Sequence, residues 1–241
     1  MPAPRIHVDH PLAPGMELAL GATGTRHVQV LRLQPGAALT LFDGHGGQWG
    51  GTVTAMSRRE VRVRTLQHEA VERELRVHVT LAVGMPANER MDALIEKATE
   101  LGVAAIQPLV CERSVLRVAG ERALRKAAHW HAVAVAACEQ CGRNRVPTIA
   151  EPLALPEWLR ALNSAASALW LLSLADAQPW PPARSGADAV VLLSGPEGGF
   201  TANEEAAARG AGFIACSLGV RVLRADTAPL AALAWLALES E

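Results

Sequence analysis

Residues 193–201 read Leu193-Ser194-Gly195-Pro196-Glu197-Gly198-Gly199-Phe200-Thr201 and follow the apolar run 189–193. That run has the length and the β-branched content of a buried strand. The glycines and the proline allow backbone N–H groups to come close to a bound ligand. Thr201 and Glu204 form a capping box, which predicts a helix start. A strand, a glycine loop and a helix start are together suited to holding a cofactor through main-chain groups.

The sequence argues against two common nucleotide-binding loops. The chain has no Gly-Lys-Ser/Thr, so it lacks a P-loop. No G-x-G-x-x-G follows a predicted strand, which argues against an ordinary dinucleotide-binding fold. From spacing alone, a tight βα connection without a ligand stays an open alternative.

Length and composition set the broad class of the protein. The chain has 241 residues, half of them apolar, which allows one large domain or two small ones with a full core. No uninterrupted apolar segment is long enough to span a membrane, and Pro2, Pro4 and Arg5 do not begin a signal peptide. A cytoplasmic protein is therefore predicted.

The charged residues are unevenly distributed, although the net charge is only −1. Residues 1–150 carry 18 Lys/Arg and 14 Asp/Glu, whereas residues 151–241 carry 5 and 10. Nearly all the basic residues of the first part are arginines, which suit bidentate contacts with phosphate and base edges. The pattern is compatible with RNA binding by the N-terminal half, and also with scattered surface charge.

The first 70 residues have the pattern of a small all-β domain. Strands are predicted at 5–8, 38–42, 48–55 and 61–66, with a short helix over 25–32. Asp43-Gly44 is a turn signal between two of these strands. Several short strands separated by turns suggest a small barrel.

From residue 75 onward strands and helices alternate. Strands are predicted at 75–83, 104–110, 168–174, 189–193 and 213–218, and helices at 91–101, 123–141 and 227–238. Residues 179–182 read as a proline-rich loop. Alternation of this kind predicts a parallel sheet covered by helices, and hence two domains, 1–72 and 73–241.

Cys138 and Cys141 form a C-x-x-C pair within the predicted helix 123–141. This spacing would suit a redox-active cysteine pair or half of a zinc site. The sequence has no second pair of ligands at the spacing that a zinc site requires. A helix places residues i and i+3 on one face, so two free, buried or half-buried thiols explain the pair without a metal.

Several motifs occur together in a characteristic order. In these motifs the chain resembles the RsmE family, which comprises the 16S ribosomal RNA uridine-N3 methyltransferases of the SPOUT superfamily. The motifs are Val30-Leu31-Arg32, Phe42-Asp43-Gly44, Lys97-Ala98-Thr99-Glu100-Leu101-Gly102-Val103, Glu112-Arg113-Ser114, Glu139-Gln140-Cys141-Gly142-Arg143, Gly195-Pro196-Glu197-Gly198-Gly199-Phe200, Leu218-Gly219 and Leu223-Arg224. One residue departs from the family pattern: Asp226 stands where the family usually has Glu.

The resemblance implies an α/β fold with a trefoil-knotted SPOUT sheet, preceded by a PUA-like RNA-binding β-barrel. It implies that 194–201 and 218–228 are knot loops, that the cofactor is S-adenosylmethionine, and that the partner is 16S ribosomal RNA or the small subunit. A homodimer is also implied, and the apolar composition of 227–238 independently suggests a helix covered on more than one side. No metal is expected, because the sulfonium of the cofactor leaves unaided.

Site residues follow from the same resemblance and from their chemistry. Cofactor contacts are expected from residues in or near the two loops and at one strand end: Leu172, Gly195, Glu197, Gly199, Leu218, Gly219 and Leu223. Contacts with RNA are expected from Arg5, His27 and Arg32, with base stacking by arginine, histidine or an exposed aromatic residue such as Trp49.

Three arginines are candidates for catalysis: Arg113, Arg143 and Arg224. A guanidinium beside uracil O2 or O4 would stabilise negative charge developing on the base. A phosphate contact or a buried salt bridge is the alternative for each. Glu197 is a candidate general base or a residue that fixes the loop, and Asp226 is a candidate for orienting Arg224.

Two other functions stay open at this point. The same fold could methylate a ribose 2′-hydroxyl, or the chain could be a non-catalytic RNA-binding protein with a vestigial cofactor loop. The intact loops argue against the second alternative, and the motifs at 97–103 and 139–143 argue against the first.

Overall fold

A computed structural model describes residues 3–162, 167–181 and 187–239. The chain divides into two compact units. The first unit holds the described residues up to Glu74 together with Val135–Val146, and the second holds Leu75–Ala134 and the described residues from Pro147 onward. The structural grouping thus differs from the sequence-based division at 135–146, a segment that the division 1–72 and 73–241 places in the second domain.

The first unit is built on a five-stranded sheet. Its elements are β1 (Arg5–His7), β2 (Glu17–Ala19), α1 (Ala22–Val30), β3 (Ala38–Phe42), β4 (Gln48–Met56) and β5 (Val61–Glu69). The strand order is β1-β3-β4-β5-β2, in which β1 and β3 are parallel and the other pairs are antiparallel. The short strand β2 was not predicted, because three residues are too few to show an alternating pattern.

The alternation of apolar and polar residues places the core of this unit as predicted. In β5, Val61 and Val63 are fully buried, whereas Arg62 and Arg64 are exposed. The predicted turn at Asp43-Gly44 is also present, and Gly44 has a φ of 82°. This value lies in the left-handed region that favours glycine.

The second unit contains a fully parallel sheet. Its elements are β6 (His78–Gly84), α2 (Asn88–Glu100), β7 (Ala105–Val110), α3 (Glu121–Cys141, which continues into the first unit), β8 (Thr148–Ile149), β9 (Leu153–Ala154), α4 (Leu155–Ala161), β10 (Ser167–Leu172), β11 (Gln178–Pro179), β12 (Ala189–Ser194), α5 (Ala202–Gly210), β13 (Ile214–Ser217) and α6 (Thr227–Glu239). The strand order is β11-β13-β10-β12-β6-β7-β8, with β9 also paired to β7. Each strand pair is parallel.

The observed sheet differs from the predicted strands at several positions. Strand β6 begins at His78 rather than at Leu75. Leu75 instead packs against Gly102, where an added Cβ would lie 2.7 Å from Leu75 Cγ. The short elements β8, β9, α4 and β11 were not predicted. Pro179, placed in a loop by the sequence, pairs with Ser217 as part of β11. Pro182, at the other end of that predicted loop, lies outside the described residues.

The core of the second unit lies on both faces of its central strands. Five consecutive residues of β12, from Val190 to Ser194, are buried, which is typical of a strand covered on both faces. Because the strands are parallel, the carboxyl ends of β6, β10, β12 and β13 meet at one edge of the sheet. Ligands of open parallel sheets bind at such an edge. None of the described helices is both long enough and apolar enough to cross a membrane.

Candidate cofactor site

A cavity of about 600 Å³ opens at the carboxyl ends of β10, β12 and β13. This volume is in the range of about 300–1,000 Å³ that is usual for small-molecule sites. The cavity is lined by the strand end 172–174, the glycine loop 194–200, residues 218 and 221–225 after β13, and Arg90, Glu205, Cys216 and Ala228. Both segments that the resemblance identifies as knot loops, 194–201 and 218–228, therefore contribute to one cavity.

The structure brings together nearly all of the residues predicted to hold a cofactor. Those that line the cavity are Leu172, Gly195, Glu197, Gly199, Leu218 and Leu223. Gly219 is not among the lining residues, but it has a φ of 109°, and its N–H donates to Ser217 Oγ at 3.2 Å. Ser217 Oγ in turn donates to Gly219 O at 2.9 Å, so this turn is locally fixed.

The glycine loop is a tight turn that leads directly into α5. The Gly199 N–H donates to Pro196 O at 2.8 Å, and Gly199 has a φ of 66°. A Cβ on Gly195 would lie 3.2 Å from Phe200 N and from Phe200 Cδ2, so there is little room for a side chain. The predicted capping box is confirmed: Thr201 Oγ1 accepts from Glu204 N, and the Glu204 carboxylate accepts from Thr201 N.

Gly84, at the end of β6, is a site residue that the sequence analysis missed. A Cβ there would lie 2.5 Å from Pro196 Cδ and 2.6 Å from Pro196 N. The backbone of β6 therefore touches the glycine loop, and only glycine permits this approach. The available signal was a glycine at the end of an apolar strand, since glycine in a strand often marks a close backbone contact.

Glu204 also holds a second segment against the loop. Its Oε1 accepts from the Glu112 N–H at 2.8 Å, while its Oε2 accepts from Thr201 N at 2.9 Å. The Glu204 side chain is buried, and both carboxylate oxygens are used by backbone donors. Within the same segment, Ser114 Oγ accepts from Cys111 N at 3.0 Å. The motif 112–114 is thus packed against the cofactor loop and fixed there.

Arg113, one of the predicted catalytic residues, binds this loop directly. Its Nη1 donates to Gly198 O at 3.0 Å and to Phe200 O at 3.3 Å. Its Cβ also limits the space at Gly198, where an added Cβ would lie 2.8 Å away. These contacts hold the glycine loop in place. Arg113 itself does not line the cavity.

Glu197 links the glycine loop to the segment before α2. Its Oε1 accepts from Ala87 N at 2.9 Å and lies 3.8 Å from Arg90 Nη1. Both Glu197 and Arg90 line the cavity. Of the two roles predicted for Glu197, these contacts support fixing the loop.

Arg224 is the predicted catalytic arginine that lines the cavity. No ion pair joins Arg224 and Asp226 among the described residues, so an orienting role of Asp226 stays a prediction. Asp226 Oδ1 is instead buried without a hydrogen-bond partner in the described chain. The Arg224 carbonyl accepts from Thr227 N and Ala228 N at 3.0 Å, which anchors the start of α6.

The cavity combines apolar and charged groups. Its apolar wall includes Leu172, Leu218 and Leu223, and its cations are Arg90, Arg221 and Arg224. The carboxylates Glu197 and Glu205 lie in the same lining, and Glu205 Oε1 accepts from Ser173 Oγ at 2.9 Å. A ligand with an apolar ring system, hydroxyls and charged groups fits this lining.

The nearby cysteines are not activated nucleophiles. Burial raises the pKa of Cys216, which lines the cavity, to about 12, and the pKa of Cys111 is raised to about 12 in the same way. Both are therefore protonated thiols at neutral pH, whereas a nucleophilic cysteine acts as the thiolate. Covalent catalysis by these residues is not supported.

The third catalytic candidate, Arg143, belongs to the first unit and is only 3% exposed. Its guanidinium forms an ion pair with Glu74, in which Nε donates to Glu74 Oε1 at 3.1 Å. A buried salt bridge was one of the alternatives that the sequence left open for this residue.

The three residues predicted to contact RNA all lie in the first unit, but each has a different environment. Arg5 donates to Gln48 Oε1, Asn144 Oδ1 and Arg143 O, and burial lowers its pKa. His27 Nδ1 lies 3.2 Å from a carboxylate oxygen of Glu139. Arg32 is exposed just after α1.

Cys138 and Cys141 are free thiols on α3. Burial raises the pKa of Cys138 to about 12. Across residues 3–162, 167–181 and 187–239 there is no group of three His, Cys, Asp or Glu side chains able to hold a metal ion.

Comparison with known proteins adds information on both units. A family model described as an RNA methyltransferase domain matches residues 73–237, and one described as an RNA methyltransferase PUA domain matches residues 24–66. The ribosomal RNA small subunit methyltransferase E of Synechocystis sp. is 35% identical over 215 residues, which cover 86% of this chain and 67% of the relative.

Two solved structures are similar over nearly their whole length. The ribosomal RNA small subunit methyltransferase E of Neisseria gonorrhoeae, bound to S-adenosyl methionine, is 36% identical with a TM-score of 0.92, covering 97% of this chain and 96% of that one. A methyltransferase of Legionella pneumophila in complex with the same cofactor is 34% identical with a TM-score of 0.91, covering 99% and 98%. The predicted fold class, a SPOUT α/β unit preceded by a PUA-like unit, is confirmed.

Proposed function

Because this chain belongs to the ribosomal RNA small subunit methyltransferase E family, we propose that it methylates N3 of a uridine in 16S ribosomal RNA, using S-adenosylmethionine. The observation that carries the proposal is the cavity of about 600 Å³ formed by the glycine loop and the loop after β13. The similar protein of Neisseria gonorrhoeae was solved with the same cofactor. A ribosomal RNA substrate agrees with the cytoplasmic location predicted from the sequence.

The residues of the cavity fit this cofactor. The apolar side chains of Leu172, Leu218 and Leu223 suit an adenine ring, and the backbone groups exposed by the two loops suit its polar edge. Glu197 and Glu205 bring negative charge to a site that would hold a sulfonium and an ammonium group. When bound, the cofactor supplies an electrophilic methyl group.

The protein must also favour the anionic form of the base. Uracil N3 carries a proton at neutral pH, so methyl transfer requires that the proton be lost and that the negative charge on O2 or O4 be stabilised. Arg224 is the predicted catalytic arginine that lines the cavity, and a guanidinium there would supply this stabilisation. Arg113 supports the reaction by holding the carbonyls of Gly198 and Phe200.

We propose that the active form is a homodimer that pairs through α6 and its surroundings. Ala232, Leu233 and Leu236 bury one face of this helix within the second unit. On the remainder of the helix Leu230 and Trp235 are half-buried, and Leu238 is 74% exposed. A helix that is apolar nearly all round is usually covered on more than one side. Light scattering of the purified protein tests this, and a monomer at micromolar concentration would contradict it.

Nucleoside analysis tests the reaction itself. A 16S ribosomal RNA transcript and isolated unmethylated small subunits are each incubated with the protein and cofactor carrying a labelled methyl group. Mass spectrometry of the digested RNA should then show labelled N3-methyluridine. Labelled 2′-O-methyl nucleosides would identify a ribose methyltransferase, and no label in either RNA would identify a non-catalytic protein.

Two variants connect the reaction to the cavity. Arg224→Gln should lower kcat by about 100-fold, as expected when a group that stabilises developing charge is removed. Arg122→Gln is the matched control, because Arg122 is an exposed arginine at the start of α3 and does not line the cavity. Equal activity of the two variants would remove Arg224 from the catalytic machinery.

A further inference from the structure

Four exposed arginines of the first unit have neither an ion-pair partner nor a side-chain hydrogen bond among the described residues. Arg26 lies on α1 and Arg32 lies two residues after the end of this helix, whereas Arg58 and Arg59 lie in the turn between β4 and β5. Gln29, also on α1, joins the two segments, since its Nε2 donates to Ser57 O at 3.1 Å and to Arg58 O at 3.3 Å. We call the surface formed by Arg26, Arg32, Arg58 and Arg59 the arginine surface.

The backbone that carries Arg58 and Arg59 is fixed before any ligand binds. Ser57 Oγ accepts from Arg59 N at 3.2 Å and from Glu60 N at 3.0 Å, and Ser57 N donates to Glu60 O at 2.8 Å. Arg58 and Arg59 are the two central residues of this closed turn, and both are exposed. Arg32 is similarly held, because it has a φ of 54° and its N–H donates to Gln29 O at 3.0 Å.

The other exposed arginines of this unit already have partners within the chain; Arg73 Nη1, for example, donates to Gly142 O at 2.9 Å. Arg62 Nε lies 2.9 Å from Glu60 Oε1, and Arg64 Nη2 lies 3.5 Å from Glu17 Oε2. The carboxylate nearest in sequence to the arginine surface, that of Glu60, is thus bound by Arg62. The positive charge of the arginine surface is left for an external anion.

We propose that the arginine surface binds the sugar–phosphate backbone of the RNA substrate. The proposal rests on the proposed function and names the part of the first unit that takes the RNA. Guanidinium groups bind phosphate oxygens bidentately, and several of them on a preformed surface suit a chain of phosphates. Contacts of this kind position the RNA without reading its sequence.

The apolar residues next to Arg32 favour an unpaired strand over a duplex. Val30 is 71% exposed and Leu31 is 43% exposed, although both are aliphatic. In single-stranded RNA the sugars and base faces are accessible to such side chains, whereas a duplex offers mainly phosphates and 2′-hydroxyls. An unpaired or looped segment of ribosomal RNA is therefore the expected ligand.

This surface revises two of the contacts predicted from the sequence. Arg5 uses its guanidinium on Gln48 and Asn144, and His27 lies against Glu139. Arg32 is the member of the predicted set that stays exposed for RNA, and Arg26, Arg58 and Arg59 are added to it.

The test compares two triple variants of the full-length protein. Arg32→Gln/Arg58→Gln/Arg59→Gln removes three arginines of the surface. Arg62→Gln/Arg64→Gln/Arg145→Gln is the matched control: it removes the same charge from exposed arginines that are each ion-paired, Arg145 with Glu72. Binding of a 16S ribosomal RNA transcript is measured over a series of KCl concentrations, together with cofactor affinity by calorimetry and thermal stability.

The surface variant should bind the transcript at least about tenfold more weakly, with a plot of log K against log[KCl] shallower by about 2, since each lost phosphate contact removes about 0.7–0.9 from the slope. The control should keep a slope near that of the parent. Cofactor affinity and thermal stability should be unchanged in the surface variant, because its substituted side chains are exposed and lie outside the cavity.

Three results would overturn the assignment. Equal losses in both variants would show that only net charge matters. Unchanged binding by the surface variant would place the RNA elsewhere and leave the proposed function standing, provided that the parent still methylates the transcript or subunits. A parent that neither binds nor methylates either RNA would remove the proposed function and, with it, this surface.

Discussion

The Glu204 carboxylate accepts the Glu112 backbone N–H at 2.8 Å, across 92 positions in sequence. The same carboxylate closes the capping box with Thr201, so one buried side chain fixes both the start of α5 and the neighbouring motif 112–114. The glycine loop lies between these two points of attachment. Its shape is consequently set before any cofactor enters.

Glu204→Gln should damage the fold and the cofactor site together. The amide offers one acceptor and places its NH₂ group against a backbone donor, so one buried hydrogen bond to a charged group is lost. We expect the free energy of unfolding to fall by about 2 kcal/mol and cofactor binding to weaken. Urea unfolding and calorimetry measure the two effects. Glu112→Gln is the control, because Glu112 enters this arrangement through its backbone N–H; equal damage in both variants would contradict the role of the Glu204 carboxylate.

Arg113→Ala should change the affinity for cofactor rather than the chemical step. The variant loses two hydrogen bonds to the carbonyls of Gly198 and Phe200. At about 1 kcal/mol for each bond, KM for S-adenosylmethionine should rise by about 10- to 30-fold. The kcat at saturating cofactor should stay within a few-fold of the parent value. A fall of about 100-fold in kcat at unchanged KM would show instead that Arg113 acts on the substrate.

Local patterns in the sequence predicted much of the fold and part of the site. The alternation in β5 and the Thr201–Glu204 capping box depend on residues close in sequence, so both could be predicted. The contacts Gly84–Pro196 and Glu112–Glu204 join distant segments, and no local pattern specifies which residues meet. The burial of Arg143 could not be predicted for the same reason, since its partner Glu74 is 69 positions away in sequence.

Gly84→Ala should disturb the cofactor loop more than other glycine substitutions do. Its Cβ would lie 2.5 Å from Pro196 Cδ and 2.6 Å from Pro196 N, so the backbone of the loop must shift. Cofactor affinity should fall by at least about tenfold, on the order of 1.4 kcal/mol. Gly210→Ala is the control, because a Cβ there has no neighbour within 4 Å and its φ is not positive. Calorimetry on both variants checks this ranking, and an unaffected Gly84→Ala protein would show that the contact does not shape the site.

The buried thiols predict how stability and alkylation depend on pH. Burial raises the pKa of Cys111, Cys138 and Cys216 to about 12, whereas an unfolded thiol ionises near pH 8.5. The unfolded state therefore loses protons first, and the free energy of unfolding should fall as the pH rises above about 9. At pH 8, iodoacetamide followed by mass spectrometry should label the half-buried Cys141 first, and all four cysteines in urea. Equal labelling of the four in the native protein would contradict their burial.

Arg143→Ala separates a structural role from a catalytic one. Removing one partner of a buried ion pair leaves the other charge unpaired, so this variant should lose about 3–5 kcal/mol of unfolding free energy. Arg145→Ala is the matched control from the same segment, since the Arg145–Glu72 pair is largely exposed and should be worth less than about 1 kcal/mol. Urea unfolding of both variants gives the two values. Methyl transfer is then measured at a temperature at which the Arg143→Ala protein is still folded. If its stability equals that of the parent while kcat collapses, Arg143 acts on the substrate; if its stability falls and kcat per folded molecule is kept, its function is to pair with Glu74.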